Sequence, residues 1–361
     1  MKKEKLYSKI YNDIMHKIKT NEYKVGDKLP TELELANFYG VSRITVARAL
    51  NDLAAINIVY RVKKCGTIVN GKLDRKNKKL IVPVVLPFPE SYNSIFKGIE
   101  AVALKNNVYT PFYNTKNNIA KERAALESIK INNPDGVIVY PCSSMYNIDV
   151  YGEILSKGIP IICIDRNIIG LNTPLITTTN AKSTEQVVSM LVSQGHSKIG
   201  FFSINNRMAI TEKERFEGFC SGMIKNNVKI ERAFLFDSTD MRKQELTLSQ
   251  AQQVKKFNKY VSKCLDEYEK MPEKPTAICC VNDKSMYALI AEALSRNIKV
   301  PDQLTITGFD CIDEDFIRSN HIICIKQNFM EIGSTAMNLL LQILDGQHYL
   351  SKTYIPGILI N

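Results

Sequence analysis

Apolar positions near the start of the chain recur with a helical period. Leu6, Ile10, Ile14 and Ile18 return every four residues, which predicts an amphipathic helix. Leu33, Leu35 and Ala36 give a second helix its apolar side, and Thr31-Glu32-Leu33-Glu34, behind Pro30, has the form of a capping box. Gly40 then supplies the backbone freedom of a tight turn, and Ser42 is placed to cap a third helix. Val46, Ala49, Leu50 and Leu53 form its inward stripe, leaving Arg43, Thr45, Ala47, Arg48 and Asn51 to face out. This is helix-turn-helix spacing, with the second of the paired helices placed to enter a major groove. Ile56 to Arg61 and Gly66 to Val69 predict two short strands around the basic tip Val62-Lys63-Lys64-Cys65.

Gly71 to Lys79 is polar and carries no apolar period, so it reads as a linker. From Leu80 onward, short β-branched runs alternate with helix-like segments. Leu80 to Leu86, Gly136 to Tyr140, Ile159 to Ile164, Lys198 to Ser203, Thr276 to Val281 and Leu304 to Phe309 predict strands. Ser94 to Asn106, Ile148 to Lys157, Ser183 to Gln194, Glu212 to Asn226, Leu246 to Tyr268 and Lys284 to Asn297 predict helices. That alternation argues a parallel α/β sheet, in a stretch long enough for two lobes. Boundaries fall at 1–71 for the helical module, 72–79 for the linker and 80–361 for the α/β region. Within that region, lobe 1 is expected over about 80–181 and 328–348, and lobe 2 over about 182–327 and 349–361.

Charge sharpens the division. Met1 to Lys79 holds 18 Lys and Arg against 8 Asp and Glu, a net of +10, which leaves +1 of the total +11 for the rest. A cationic excess on a small helical module is the electrostatic footprint of phosphate-backbone binding. The nine cysteines are odd in number, lack any Cys-x-x-Cys pair, and several (Cys142, Cys163, Cys279, Cys280, Cys324) sit in apolar runs, as reduced core thiols of a cytosolic protein do. Met1-Lys2-Lys3-Glu4-Lys5 precedes no apolar stretch, and prolines break the longest apolar run, near Leu80 to Phe88. Neither a signal peptide nor a membrane span is expected, and the expected location is the cytoplasm. His16, His196, His321 and His348 show no metal-ligand spacing, and the chain has neither a phosphate-binding Gly-rich loop nor a nucleophile elbow. No enzymatic activity, cofactor or metal is expected.

The run Gly26-Asp27-Lys28-Leu29-Pro30-Thr31-Glu32-Leu33-Glu34-Leu35-Ala36, followed by Gly40 to Leu50 and Gly66-Thr67-Ile68-Val69, resembles the winged-helix domain of the GntR family of bacterial transcription regulators. The resemblance implies that Arg43 and Thr45 contact bases or phosphates, that Arg48 follows further along the recognition helix, and that Gly66 is the wing glycine. It extends the DNA-binding set to Thr31, Glu32, Ser42, Lys63 and Lys64. Leu33 stands where many members carry arginine and Asn57 where glycine is usual, so an operator sequence does not carry over.

A second set of motifs occurs in family order: Asp135-Gly136-Val137-Ile138-Val139, Ile164-Asp165-Arg166, Gly195-His196-Ser197-Lys198-Ile199, Arg215-Phe216-Glu217-Gly218-Phe219, Val281-Asn282-Asp283, Thr307-Gly308-Phe309-Asp310 and Lys326-Gln327-Asn328-Phe329. Together they resemble the effector domain of the lactose-repressor family, which is similar to periplasmic sugar-binding proteins. The resemblance implies that Asp165, Arg215, Asn282, Asp310 and Gln327 hold a small effector, with Phe329 packing against it. Arg166 reads either as a ligand contact or as a lobe-to-lobe salt bridge, and Asp283 as the N-cap of the following helix. Thr178-Thr179-Asn180 stands where the family usually has an Asp-Asn pair.

The fold expected is therefore α/β: a winged helix-turn-helix joined to a two-lobed, periplasmic-binding-protein-like effector domain. The layout is similar to that of the arabinose-responsive repressors of Gram-positive bacteria. The resemblance implies a homodimeric repressor of sugar-utilisation genes, released from a pseudo-palindromic double-stranded operator by a monosaccharide, a pentose such as arabinose first. A corepressor such as a purine or phosphorylated sugar, and a sugar-binding module that never touches DNA, are the alternatives.

Overall fold

The structure, a computed structural model, describes residues 6–20, 22–24, 26–55, 58–62, 66–69, 79–87, 93–203, 210–237 and 250–361. The expected wing tip at Lys63 and Lys64, most of the linker and the start of the long helix at Leu246 lie outside them.

The N-terminal module comprises α1 (Leu6–Lys19), α2 (Glu32–Tyr39), α3 (Arg43–Ala55) and the antiparallel hairpin β1 (Val59–Val62) with β2 (Gly66–Val69), in the register Val59↔Val69 to Val62↔Gly66. Its core is its own: Ile10, Ile14 and Ile18 of α1 meet Leu35 of α2 and Val46, Ala49, Leu50 and Leu53 of α3, all buried. Gly40 ends α2 in the left-handed conformation, φ 65°, with its N–H on the Ala36 carbonyl, which is why glycine stands at the turn.

The remaining elements in chain order are β3 (Leu80–Ile81), β4 (Val84–Leu86), α4 (Asn93–Lys105), β5 (Val108–Tyr109), β6 (Phe112–Asn114), α5 (Ile119–Asn132), β7 (Val137–Val139), α6 (Ile148–Ser156), β8 (Ile161–Ile164) and β9 (Leu175–Thr178). Then follow α7 (Asn180–Ser193), β10 (Ile199–Ser203), α8 (Ile210–Lys225), β11 (Leu235–Asp237), α9 (Gln250–Lys270), β12 (Ala277–Cys280), α10 (Asp283–Ser295) and β13 (Thr305–Asp310). The chain closes with α11 (Glu314–Ser319), β14 (Cys324–Lys326), α12 (Phe329–Leu344), β15 (Lys352–Ile355) and β16 (Ile358–Ile360). One six-stranded sheet has the order β15-β9-β8-β7-β4-β6 and the other β11-β10-β12-β13-β14-β16.

Two differences from the expected elements have local causes. The run Leu80 to Leu86 is two strands, because Pro83 has no N–H to give: β3 pairs with β5, while β4 pairs with β6 and β7. The strand expected from Ile159 begins at Ile161 for the same reason, after Pro160. Elements β5, β6 and α5, between Asn106 and Gly136, strands β9 and β11, and all the elements after β13 lie outside the expected alternation.

The described chain divides into two compact units, one of 1–164, 168–175 and 333–351, the other of 165–167, 176–332 and 352–361. The limits differ from the expected lobes by a few residues. Residues 176–181 go with the second unit because Thr178 and Asn180 are hydrogen-bonded to Gln327 and Arg215 of that unit.

In the second unit the apolar strands are covered on both faces, as a parallel sheet requires. Phe201, Cys279, Phe309 and Ile325 pack toward Val188, Leu191 and Phe219 of α7 and α8, and Phe202, Ile278, Ile306 and Cys324 toward Val261, Leu265 and Leu289 of α9 and α10. Helices α7 and α8 approach so closely that a Cβ at Gly218 would stand 2.1 Å from the Ala181 carbonyl oxygen, and one at Gly222 would stand 2.8 Å from Val188 Cβ. We therefore expect Gly218→Ala to cost about 1–3 kcal/mol or more by overpacking. Thermal denaturation followed by circular dichroism checks it; an unchanged Tm would refute the close approach.

Candidate functional site

In the N-terminal module, several residues expected to meet DNA are committed to building the helices. Thr31 and Glu34 form a capping box: Thr31 Oγ1 accepts the Glu34 N–H at 3.3 Å, and Glu34 Oε2 accepts the Thr31 N–H at 2.7 Å. Ser42 Oγ accepts the Thr45 N–H at 3.3 Å and lies 2.8 Å from the Thr45 hydroxyl, so Ser42 caps α3 as expected. Glu32 turns its carboxylate inward on the module. Its Oε2 accepts from Arg43 Nε at 2.8 Å and its Oε1 pairs with Arg61 at 3.0 Å, joining the recognition helix to the wing strand. The hydrogen bond from Arg43 holds the Glu32 carboxyl below its ordinary range. Arg43 is 70% exposed, and its terminal nitrogens have no partner among the described residues. Such a fork suits two acceptors on one guanine edge.

Arg48 faces out on α3, as expected. Its guanidinium lies 4.3 Å from the centroid of the Tyr7 ring and beside Asp52, a geometry that packs α1 against α3. Gly66 has φ 107°, and a Cβ there would stand 2.9 Å from Lys28 Cε, so the wing needs a glycine.

The expected effector residues all fall in the second unit. Its sheet starts at β10, adds β11 on one side and crosses to β12 on the other. Ligands of open α/β sheets lie beyond the carboxyl ends of the strands at such a reversal. Arg215 of α8, only 5% exposed, reaches that end: Nε donates to Asn180 Oδ1 at 2.8 Å and Nη1 to the Val281 carbonyl at 2.7 Å. Nη1 is also 3.5 Å from Asp310 Oδ1, and the guanidinium lies 3.6 Å from the Phe309 ring centroid. Gln327 completes the chain of contacts, with Nε2 donating to Asp310 Oδ1 at 2.6 Å and Oε1 accepting from the Thr178 hydroxyl.

Burial dominates the electrostatics. It pushes the Asp310 carboxyl up to about 7, against the pull of Arg215, with Asp283 and Asp165 adding to the rise. Burial likewise lifts Asp283 to about 6. Asp165, at φ 63°, is buried with its N–H on the Ile176 carbonyl at 2.8 Å. Arg166 follows it, half-buried, and Phe329, also buried, opens α12.

The cap of α10 falls one residue earlier than expected. Asn282, expected to hold the effector, is the N-cap of α10: its Oδ1 accepts the Ser285 N–H at 2.9 Å. Asp283, expected to be that cap, is the first helical residue, fully buried, accepting from the Ile312 N–H at 2.8 Å and from Cys324 Sγ at 3.4 Å. Only an extended residue just before the helix can turn its side chain back onto the free N–H groups, and Asn282 has that backbone.

Sequence reasoning missed Asn180, which ties Arg215 to Glu214 (3.1 Å) and to the Thr178 carbonyl (3.0 Å). It also missed Ser203, buried at the carboxyl end of β10 with a hydroxyl that has no partner among the described residues. Position after a strand was a usable signal for Ser203; for Asn180 the signal was the departure at Thr178-Thr179-Asn180, which marked the stretch without marking the residue as a partner of Arg215.

Residues 6–69 match the family model described as bacterial regulatory proteins of the gntR family, and residues 82–348 match that of the periplasmic binding protein domain. An arabinose metabolism transcriptional repressor of Halalkalibacterium halodurans is 24% identical over 353 residues, covering 95% of this chain and 90% of that protein. The crystal structure of the transcription regulator CcpA of Lactococcus lactis superposes with a TM-score of 0.64 at 16% identity, over 79% of this chain and 98% of that one. A LacI family transcriptional regulator from Enterococcus faecium with bound ribose superposes with a TM-score of 0.61 at 18% identity, over 78% and 97%. Among the described residues no helix is long and apolar enough to cross a membrane.

The raised Asp310 carboxyl has a measurable consequence. As pH rises the unfolded chain ionises near 3.8 and the folded protein near 7, so folded wild-type protein loses stability across that interval and levels off above it. Asp310→Asn does not titrate there. The stability of Asp310→Asn relative to wild type should therefore rise between about pH 5 and about pH 8, as read by urea denaturation at each pH. A pH-independent difference would show that Asp310 is ionised throughout.

Proposed function

We propose that this chain, which belongs to the family of the periplasmic binding protein domain and opens with a regulatory module of the gntR family, is a DNA-binding transcription repressor that leaves its operator when a small sugar binds around Arg215. The observation that carries the reading is how the two modules treat their arginines. The N-terminal module holds Arg43 out in solvent on a carboxylate, while the other module buries Arg215 among Asp310, Asn180 and Gln327. An exposed fork on a recognition helix fits base edges and phosphates. A buried charged cluster is costly to build for stability alone and suits a polar ligand that donates and accepts at once.

A neutral polyol is the effector this chemistry favours, because Arg215 already faces Asp310, with Asp283 and Asp165 close enough to act on it. A phosphate group would meet those carboxylates. A pentose comes first and arabinose heads the candidates, since the Halalkalibacterium halodurans relative is named for arabinose metabolism. A homodimer would set two recognition helices on a twofold operator in the cytoplasm.

Coupling between the modules follows one continuous path. Helix α12 starts two residues after Gln327 and ends at Leu344, and Gly346 just beyond it, left-handed at φ 68°, caps it. The Gly346 carbonyl accepts the Tyr11 hydroxyl of α1 at 2.5 Å, and Asp52 of α3 lies close to Tyr11, His348 and Tyr349. Sugar that moves Gln327 would thus move the cap that α1 grips.

Arg43→Ala is expected to lose operator affinity about tenfold or more while sugar still raises the melting temperature. Arg215→Ala should bind operator and show no sugar-induced shift. Fluorescence anisotropy and a thermal-shift series with pentoses and hexoses check both, and an Arg43→Ala protein with full operator affinity would overturn the recognition-helix assignment. In a separate test, Tyr11→Phe should shrink the sugar-induced drop in operator affinity, about 5- to 150-fold for coupling of ordinary size, with sugar affinity in the absence of DNA unchanged. An undiminished drop would exclude the path through α12.

A further inference from the structure

We infer that Ile44, with Leu33 beside it, reads the C5 methyl group of thymine, so the half-site recognised by this protein carries a thymine adjacent to the base pair engaged by Arg43. The inference rests on the reading of α3 as the recognition helix and goes beyond it by naming a base that arginine does not select.

Ile44 is 82% exposed and Leu33 is 63% exposed, on a module whose inward helix stripes close into a core; Phe38 of α2, 72% exposed, instead lies against Lys17 and Tyr39 of the same module. Each follows a member of the ion pair in which Glu32 and Arg43 meet at 2.8 Å, which brings the first turns of α2 and α3 together. Both turns are fixed by their own caps, at Thr31 and Ser42. The result is an apolar pair set beside an exposed Arg43 and a half-exposed Arg61 on one edge of the module.

The chemistry of the major groove leaves little else for such a pair to meet. Guanine, cytosine and adenine present acceptors and donors there, whereas thymine adds a methyl group, the one apolar feature among the four base edges. A β-branched side chain on a helix has one strongly preferred rotamer, so Ile44 loses little freedom on contact. Arg43 cannot do this reading, since its fork recognises paired acceptors.

The test begins with selection of a binding site for the full-length protein from a random duplex library. Each thymine of the selected site is then replaced in turn by deoxyuridine, which removes only the methyl group, and affinities are measured for wild type and Ile44→Ala by anisotropy. Loss of one well-buried methyl group is worth about fourfold. We expect one or two replacements to cost wild-type protein that much and to cost Ile44→Ala nothing, with Ile44→Ala giving an unchanged circular dichroism spectrum. Replacements that are neutral throughout for wild type, or that cost both proteins equally, would overturn the assignment of Ile44 while leaving α3 the recognition helix. Selection of no site at all would instead overturn the reading of α3, and this inference with it.

Discussion

The buried ion pair between Arg215 and Asp310 is the constraint on which the C-terminal region is built. Two charges taken out of water need matched partners, or their desolvation is not recovered. Here every partner comes from a different element: Asn180 from the start of α7, the Val281 carbonyl beyond β12, Gln327 beyond β14, and Phe309 of β13 beneath the guanidinium. Meeting these demands fixes α7, α8 and the strand ends relative to one another. The glycines that let α8 lie against α7 serve the same end, because a side chain at Gly218 would push Arg215 away from its acceptors.

The N-terminal module solves the opposite problem. Its charges stay in solvent, where a single ion pair contributes little to stability, so the fold rests on its own apolar core. What Glu32 adds is orientation. By holding Arg43 and Arg61 at once it limits the side-chain freedom that a DNA contact would otherwise have to freeze. Exposure and restraint together suit the proposed DNA-binding surface, while burial and mutual satisfaction suit a proposed site whose ligand must enter its hydrogen-bond network.

The proposed coupling of the two chemistries rests on chain continuity. Gln327, Asn328 and the first turn of α12 follow one another without interruption, with Asn328 bonded to Glu331 within that turn. A helix is stiff along its axis, so a shift at its first turn reappears at its cap. There the hydrogen bond from Tyr11 to the Gly346 carbonyl, beside Asp52, His348 and Tyr349, meets a module that has a core of its own.

By itself the sequence determined the two modules, their order and most of the helices, because each rests on local periodicity and caps: the stripe Val46, Ala49, Leu50 and Leu53, the box at Thr31 and Glu34, the turn at Gly40. It also singled out Arg215, Asp310 and Gln327, since each stands in a recognisable motif after a strand or early in a helix. Only the tertiary structure decided which of these residues meet. It joined Asn180 to Arg215 and Thr178 to Gln327 across 149 positions, put the α10 cap on Asn282 in place of Asp283, and set Glu32 between Arg43 of the helix and Arg61 of the hairpin strand. Periodicity records which face of an element is buried. Which side chains face each other is set by strand order and helix packing, and those depend on residues far apart in the chain.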